Sequence, residues 1–250
     1  MNNRTEPKIT LTITTCKRYG LFKKTITSFV AHCRDLDTIS MIIHYDDSSE
    51  EYQRELMRQD LLSSFPHSEL FERLVNTEDI KSGKRHCEIM RTWKEDISNS
   101  DYVFHLEDDW EFTTDFTLLE LVNFINTKPN VAYVGVSQQE RQAPQHIQID
   151  VEGSFWKWYY DHNQPLMSNI FYDTNTGSNL INWPYFGLRP GMHDVSKLVE
   201  IDNFTCLSNL PFELEFATRF SEKYIAYCTR TAWCIHIGDT SSYELNNSDR

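Results

Sequence analysis

The sequence predicts an α/β protein with a mostly parallel central sheet flanked by helices. Over the first 138 residues, short stretches with a two-residue period alternate with longer stretches at helical spacing. Strands and helices in this alternation form right-handed βαβ units, which build parallel sheets. Polar clusters follow the first, second and fourth predicted strands, and ligands of such sheets bind beyond the carboxyl ends of the strands. We therefore expect these clusters to face one cleft.

Each element of the first half is predicted from its own pattern of side chains. Alternating apolar and β-branched residues predict strands at residues 8–15, 38–45, 71–75, 102–106 and 131–136. Apolar residues at helical spacing predict helices at residues 20–33, 50–64, 84–98 and 116–126.

The regular pattern breaks over residues 139–182, which are rich in Gln, Asn and aromatic side chains. It resumes with helices from about 193 and near 211–222, and with a strand at 225–237. We predict a single domain over residues 1–250, with a first half at 1–138 of the βαβ type found in nucleotide-binding folds and a substrate-shaping second half at 139–250.

The composition argues against several classes of protein. Lys and Arg number 24 against 37 Asp and Glu, so the formal net charge is −13. Nucleic-acid binding needs a surplus of cations to neutralise phosphates, and that surplus is missing here. No apolar run approaches the roughly 20 residues that span a bilayer, and the N-terminus has no signal-peptide core. The six cysteines are scattered without a CxxC pair, so we expect free thiols and a cytoplasmic location.

An acidic motif, Glu107-Asp108-Asp109-Trp110, directly follows the fourth predicted strand. In extended chain the side chains of Glu107 and Asp109 point to the same face, where they repel each other unless a cation lies between them. A hard divalent ion that also binds phosphate oxygens is the usual solution. The alternative is a solvated acidic turn, and the position at the carboxyl end of a strand favours the metal.

Two further polar groups are candidates for ligand contacts. His236 lies near the end of the last predicted strand, where a neutral imidazole can bind Mn²⁺ or serve as a hydrogen-bonded core residue. The cluster Asp46-Asp47-Ser48-Ser49 follows the second strand, where it can contact a ribose or base, or simply cap the next helix. Lys84 and Arg85 open the third helix, where they face a diphosphate or solvent.

The segment 212–219 holds a candidate general base. Glu215 and Arg219 stand four residues apart in the order that favours an ion pair on a helix, so this pair has a structural explanation. Glu213 has no such partner. A partly desolvated carboxylate between apolar neighbours has a raised pKa, which suits a working base.

Five segments in chain order together resemble the GT-A-fold nucleotide-sugar glycosyltransferases, close to family 2: ITLTITTCKR, DDSS, HLEDDW, FELEFATR and HIG. The resemblance implies a Rossmann-like GT-A fold whose first half binds the nucleotide sugar and whose C-terminal half binds the acceptor. It implies a hexosyltransferase-type enzyme that moves a sugar from a nucleoside-diphosphate sugar, expected to be a UDP-sugar, to a hydroxyl of a glycan, protein or small molecule.

The same resemblance implies the roles of individual residues. The family's DxD motif binds Mn²⁺ or Mg²⁺ and the donor diphosphate, and here it reads Glu107-Asp108-Asp109, with Asp109 as the direct ligand and Glu107 and His236 as further ligands. The other residues expected at the nucleotide are Thr14, Thr15, Arg18, Asp46, Asp47, Lys84 and Arg85.

Inverting members of this family carry a base at the start of a helix, and Glu213 falls at that position. The sequence has Phe212-Glu213 where the family typically shows Glu-Asp, and Phe216 where it shows Leu. An inverting mechanism with Glu213 as base is therefore the expectation, and a retaining mechanism is the alternative.

Two other functions compete with this one. A sugar nucleotidyltransferase shares a nucleotide-binding half and a metal held by carboxylates, but it typically has a Gly-rich loop after the first strand. That place here reads Thr15-Cys16-Lys17-Arg18-Tyr19-Gly20, with a single glycine. A non-catalytic sugar-binding relative would have lost the metal carboxylates, which are present.

Overall fold

The computed structural model of the chain describes residues 6–76, 87–137, 186–201, 212–229 and 231–238, together with four short strands in between. Its helices are α1 (Tyr19–His32), α2 (Glu51–Ser64), α3 (Trp93–Asp96), α4 (Leu118–Asn126), α5 (Val195–Leu198) and α6 (Phe212–Lys223). Within these described residues, no helix combines the length and the apolar character that a bilayer crossing requires.

Thirteen strands are described. They are β1 (Ile9–Thr15), β2 (Ile39–Asp47), β3 (Glu69–Val75), β4 (Tyr102–Glu107), β5 (Trp110–Phe112), β6 (Val131–Gly135), β7 (Asp150–Glu152), β8 (Phe155–Lys157), β9 (Phe171–Asp173), β10 (Ser178–Leu180), β11 (Gly191–Asp194), β12 (Ile225–Thr229) and β13 (Cys234–His236). Nine of them form one sheet in the order β3-β2-β1-β4-β11-β6-β12-β8-β7.

The large sheet is mostly parallel, as the sequence predicts. Strands β3, β2, β1 and β4 pair in parallel, and so do β6 and β12. Strand β11 lies antiparallel between β4 and β6, and β8 lies antiparallel between β12 and β7. The pair β13 and β5 forms a separate antiparallel ribbon beside the sheet.

Apolar layers cover both faces of the sheet. On one face, Phe29 of α1 packs at the centre of an aromatic cluster, with its ring centroid 5.1 Å from that of Phe112. On the other face, Trp93 and Phe186 pack in a second buried cluster. Strand β1 is buried along its whole length, as expected for a strand at the centre of a sheet covered on both sides.

Three predicted elements differ from the structure. The helix predicted at 84–98 is interrupted by a 3₁₀ turn at Met90–Thr92, which is followed by the short α3. The helix expected from about 193 begins only at Val195, because Asp194 caps it by accepting the N–H of Lys197. The residues before it form β11, where a side chain at Gly191 would come within 2.5 Å of the ring of Tyr133. The strand expected at 225–237 is divided into β12 and β13, because the chain leaves the large sheet to pair with β5.

The cysteines only partly follow the sequence prediction. Cys16, Cys33, Cys228 and Cys234 are buried free thiols. Cys87 is disulfide-bonded, so the expectation of free thiols is wrong for this residue. The cytoplasmic location stays a prediction. The division into two halves of one domain stays a prediction.

Candidate functional site

The register of the parallel strands brings three loops to one edge of the sheet. Thr15 at the end of β1 lies opposite Asp46 of β2, and Thr14 lies opposite Glu107 of β4. The polar clusters that follow these strands are therefore neighbours in space, as the sequence predicts.

Arg18 lies between the two aspartates of the acidic motif. Its Nη1 donates to Oδ2 of Asp109 at 2.9 Å, and its Nε donates to Oδ2 of Asp108 at 3.3 Å. Its Nη2 forms an ion pair with Oδ1 of Asp108. Burial lowers the pKa of Arg18, but the two carboxylates outweigh this effect and raise it above its usual value.

Asp108 is fixed inside the turn. The N–H of Cys16 donates to its Oδ2 at 3.3 Å, and the hydroxyl of Thr25 donates to its carbonyl oxygen at 2.9 Å. Burial raises the pKa of Asp108 to about 7, although Arg18 acts in the opposite direction. These contacts indicate that Asp108 stabilises the conformation of the turn.

Asp109 faces the C-terminal segment of the chain. Its Oδ2 lies 3.2 Å from Nε2 of His236, whose side chain is 51% exposed. The N–H of Ile237 donates to the carbonyl oxygen of Asp109 at 2.8 Å. The ring of His236 also lies edge-on to that of Trp110, with centroids 5.1 Å apart. The fold thus brings His236 and Asp109 together, and their role as metal ligands stays a prediction.

Glu107, the first carboxylate of the acidic motif, is acted on by the charges of both Asp109 and Glu213. Burial, together with the negative charges of Asp109 and Glu213, raises the pKa of Glu107 to about 8. Nε1 of Trp110 donates to Oε2 of Glu107 at 3.1 Å. The N–H of Leu188 donates to Oε1 of Glu213 at 3.1 Å. Glu213, at the start of α6, therefore acts electrostatically on the acidic motif.

Glu215, two residues further along α6, has the structural partner that the sequence predicts. Its Oε1 lies 3.5 Å from Nη1 of Arg219. This ion pair distinguishes Glu215 from Glu213, whose oxygen is held by a backbone N–H.

The cluster Asp46-Asp47-Ser48-Ser49 at the end of β2 does not cap α2. The N-cap position of this helix is Glu50, which makes no side-chain capping hydrogen bond. Asp46 instead accepts hydrogen bonds from the hydroxyl of Thr15 at 2.9 Å and from the N–H of Ser49 at 3.2 Å. Asp47 is also buried and accepts from the hydroxyl of Ser48. The capping alternative is therefore wrong for both aspartates.

Some residues of the site were not identified from the sequence, and two predicted residues are not among those that the structure describes. Lys84 and Arg85 fall outside the described residues. No motif in the sequence pointed to Arg189, whose positive charge lowers the pKa of Glu107 whereas the charge of Glu213 raises it. Gly238 could have been found from the sequence, because a glycine close after the predicted strand that carries His236 permits a close backbone approach. A Cβ at this position would lie 2.6 Å from Oδ2 of Asp109.

The donor atoms at Asp109 are compatible with a divalent ion. Within the described residues, no group of three or more His, Cys, Asp and Glu side chains is arranged to hold a metal. Asp109 and His236 nonetheless place one carboxylate oxygen and one imidazole nitrogen together, a donor set that suits Mn²⁺. Mg²⁺ is commonly held by one or two carboxylates plus substrate phosphates, so a protein cage is not required.

The fold of the chain is similar to those of several solved structures, and one of them is a mannosyltransferase. The mannosyltransferase PcManGT from Pyrobaculum calidifontis, solved in complex with GDP-Man and Mn²⁺, matches with a TM-score of 0.63 and 14% identity over 97% of this chain. The chain has the fold of a glycosyltransferase. TarS from S. aureus matches with a TM-score of 0.60 and 9% identity over 94% of this chain, and residues 1–349 of TarS in complex with UDP match with a TM-score of 0.57 and 8% identity over 91%.

The chain spans only part of these proteins. It covers 60% of the PcManGT chain, 38% of the TarS chain and 59% of the shorter TarS chain. No family model and no curated protein sequence matches the chain. The glycosyltransferase fold confirms the fold class that the sequence predicts.

Proposed function

We propose that this chain is a metal-dependent glycosyltransferase that moves a sugar from a nucleoside-diphosphate sugar to an acceptor hydroxyl. The donor that we expect is a UDP-sugar. The observation that carries the proposal is the pair of Asp109 and His236 at the carboxyl end of β4, with Oδ2 and Nε2 3.2 Å apart. The glycosyltransferase fold supports it, as do the GDP-Man and Mn²⁺ of one structural neighbour and the UDP of another.

Asp109 and His236 would hold Mn²⁺ or Mg²⁺, with Glu107 beside them. When bound, such an ion neutralises charge that develops on the departing diphosphate. Asp108 holds the turn in place through Cys16 and Thr25, and Asp109 follows it directly, next to His236.

The nucleoside is assigned to the ends of β1 and β2. Asp46 and Asp47 are buried at this edge of the sheet, and capping of α2 does not account for them. Carboxylate oxygens here can accept hydrogen bonds from ribose hydroxyls or a base N–H. Thr14 and Thr15 belong to the same end of β1, while Lys84 and Arg85 are assigned to the diphosphate from the sequence alone.

Glu213 is assigned the role of general base. A sugar hydroxyl is a poor nucleophile at neutral pH, and an inverting displacement needs a base on the face opposite the leaving group. The N–H of Leu188 fixes Oε1 of Glu213, so we assign the acceptor proton to Oε2. The acceptor oxygen then bonds to the anomeric carbon as the bond from that carbon to the diphosphate oxygen breaks, and the nucleoside diphosphate leaves.

A screen of nucleotide sugars tests this function. The purified protein is incubated with each donor and Mn²⁺, with and without candidate acceptors, and release of the nucleoside diphosphate is measured. We expect Mn²⁺-dependent release from at least one donor, absent in Asp109→Ala and retained in Asp115→Ala, whose carboxylate is exposed and paired with Arg34. Release that is independent of both the metal and Asp109 would contradict the proposal.

A further inference from the structure

We propose that Arg18 makes metal binding depend on the nucleotide-sugar donor. Its guanidinium occupies the oxygen of Asp109 that a metal would use, until the diphosphate of the donor attracts the guanidinium away from that oxygen. This inference rests on the proposed function and adds a regulation of the same site. The sequence placed Arg18 near the nucleotide but gave no reason to connect it with the metal ligands.

The contacts of Asp109 show the competition directly. Its Oδ2 lies 2.9 Å from Nη1 of Arg18 and 3.2 Å from Nε2 of His236. An ion bound between Asp109 and His236 needs the same oxygen, and it repels a guanidinium at that distance. The backbone of Asp109 is held by the N–H of Ile237, which donates to its carbonyl oxygen at 2.8 Å, and only a glycine at position 238 leaves room for Oδ2, since an added Cβ would lie 2.6 Å from it.

Arg18 does not need to leave the site in order to release Asp109. Among the described contacts, two of its nitrogens, Nε and Nη2, bind Asp108, and Nη1 binds Asp109. Asp108 is fixed by Cys16 and Thr25, and it can retain the guanidinium while Nη1 moves. Asp108 is thus the fixed partner of Arg18, and Asp109 is the exchangeable one.

A diphosphate supplies what the exchange needs. Arg binds phosphate oxygens through paired N–H donors. The negative charge of the diphosphate offsets the positive charges of the metal and the guanidinium together. Metal and nucleotide therefore bind with positive coupling, which acts equally in both directions. The side chain of Arg18 is only 13% exposed, so bulk solvent screens this competition weakly.

Electron paramagnetic resonance of free Mn²⁺ tests the inference without any turnover. Mn²⁺ affinity is measured with and without UDP for the wild type, Arg18→Met and Arg34→Met. Arg34 pairs with Asp115 on an exposed surface, so its variant controls for the loss of one positive charge. We expect Arg18→Met to bind Mn²⁺ without UDP about tenfold or more tightly than the wild type, a factor that corresponds to about 1.4 kcal/mol.

The same variant should lose most of the gain in Mn²⁺ affinity that UDP gives to the wild type, while Arg34→Met should behave as the wild type. If Arg18→Met does not fold, Arg18→Lys decides, because an ammonium lacks the planar fork that spans both aspartates. It should bind Mn²⁺ without UDP more tightly than the wild type. Unchanged UDP-free affinity in the folded variants overturns the inference, whereas no Mn²⁺ binding by the wild type even with UDP contradicts the proposed function itself.

Discussion

Gly238 packs against the carboxylate of Asp109, and a Cβ at that glycine would lie 2.6 Å from Oδ2 and 3.1 Å from Cγ. Contacts this short cannot be accommodated unless the carboxylate moves. The C-terminal segment therefore fixes Asp109 twice, through this close approach and through the hydrogen bond from the N–H of Ile237.

Gly238→Ala is expected to displace Asp109 and to weaken transfer about ten- to a hundredfold, since a misplacement of 1 Å at an active site can cost that much. The matched control is Gly20→Ala, because a Cβ at Gly20 meets nothing within 4 Å. Initial rates of nucleotide release measure both variants. Normal turnover by Gly238→Ala would show that the carboxylate tolerates the shift.

His236→Ala is expected to weaken the dependence of turnover on Mn²⁺ while it leaves the thermal stability of the metal-free protein nearly unchanged. The side chain is 51% exposed, so its removal creates no cavity. Turnover as a function of Mn²⁺ concentration and a thermal melt in chelator provide the two measurements. A large drop in melting temperature would instead indicate a structural histidine.

The raised pKa of Glu107 leads us to expect that the stability of the metal-free protein depends on pH. Its pKa is raised from the usual 4.5 to about 8, so the folded state holds this proton more tightly than the unfolded state. The free energy of unfolding should therefore fall as pH rises from about 4.5 to about 8 and level off above that, by up to about 1.4 kcal/mol per pH unit. Asp108 contributes in the same direction only up to about pH 7.

Urea unfolding of the wild type and Glu107→Gln at pH 5, 7 and 8, in the presence of chelator, measures this dependence. The amide can still accept the hydrogen bond from Trp110, so the variant removes the titration and keeps the contact. We expect a smaller loss of stability between pH 5 and 8 in Glu107→Gln than in the wild type. Equal losses would show that Glu107 does not titrate in this range.

Glu213→Gln is expected to keep donor affinity and to lose at least about a hundredfold in transfer, the usual cost of removing a positioned base. The control is Glu215→Gln on the same helix, whose partner is Arg219. Single-turnover rates and the anomeric configuration of the product, read by NMR, complete the test. Near-normal transfer by Glu213→Gln, or a product that keeps the donor's configuration, favours the retaining alternative.

The sequence predicted those parts of the fold that depend on local side-chain period. Strands β1, β2 and β4 and helices α1 and α2 have clear periods, and parallel pairing then places Asp46 next to Thr15. Strand β11 was missed because its four residues show no alternation and its antiparallel place is set by contacts with Tyr133.

Several contacts of the site could not be predicted because they join residues distant in the chain. Arg18 and Asp108 are separated by 90 positions, and a guanidinium can pair with many carboxylates. Nothing in the sequence indicates that Arg18 spans Asp108 and Asp109 or that Leu188 holds Glu213. Local sequence favours capping of α2 by the cluster at the end of β2, but Asp46 instead accepts a hydrogen bond from Thr15 of the neighbouring strand.

Calorimetric titration of UDP into the wild type and Asp109→Ala, each with and without Mn²⁺, tests the central claim most directly. If Asp109 holds the ion that binds the donor diphosphate, UDP should bind the wild type at least about tenfold more tightly with Mn²⁺, a difference of about 1.4 kcal/mol. Asp109→Ala should lose that gain. Equal affinity of both proteins for UDP, unaffected by Mn²⁺, would contradict the account.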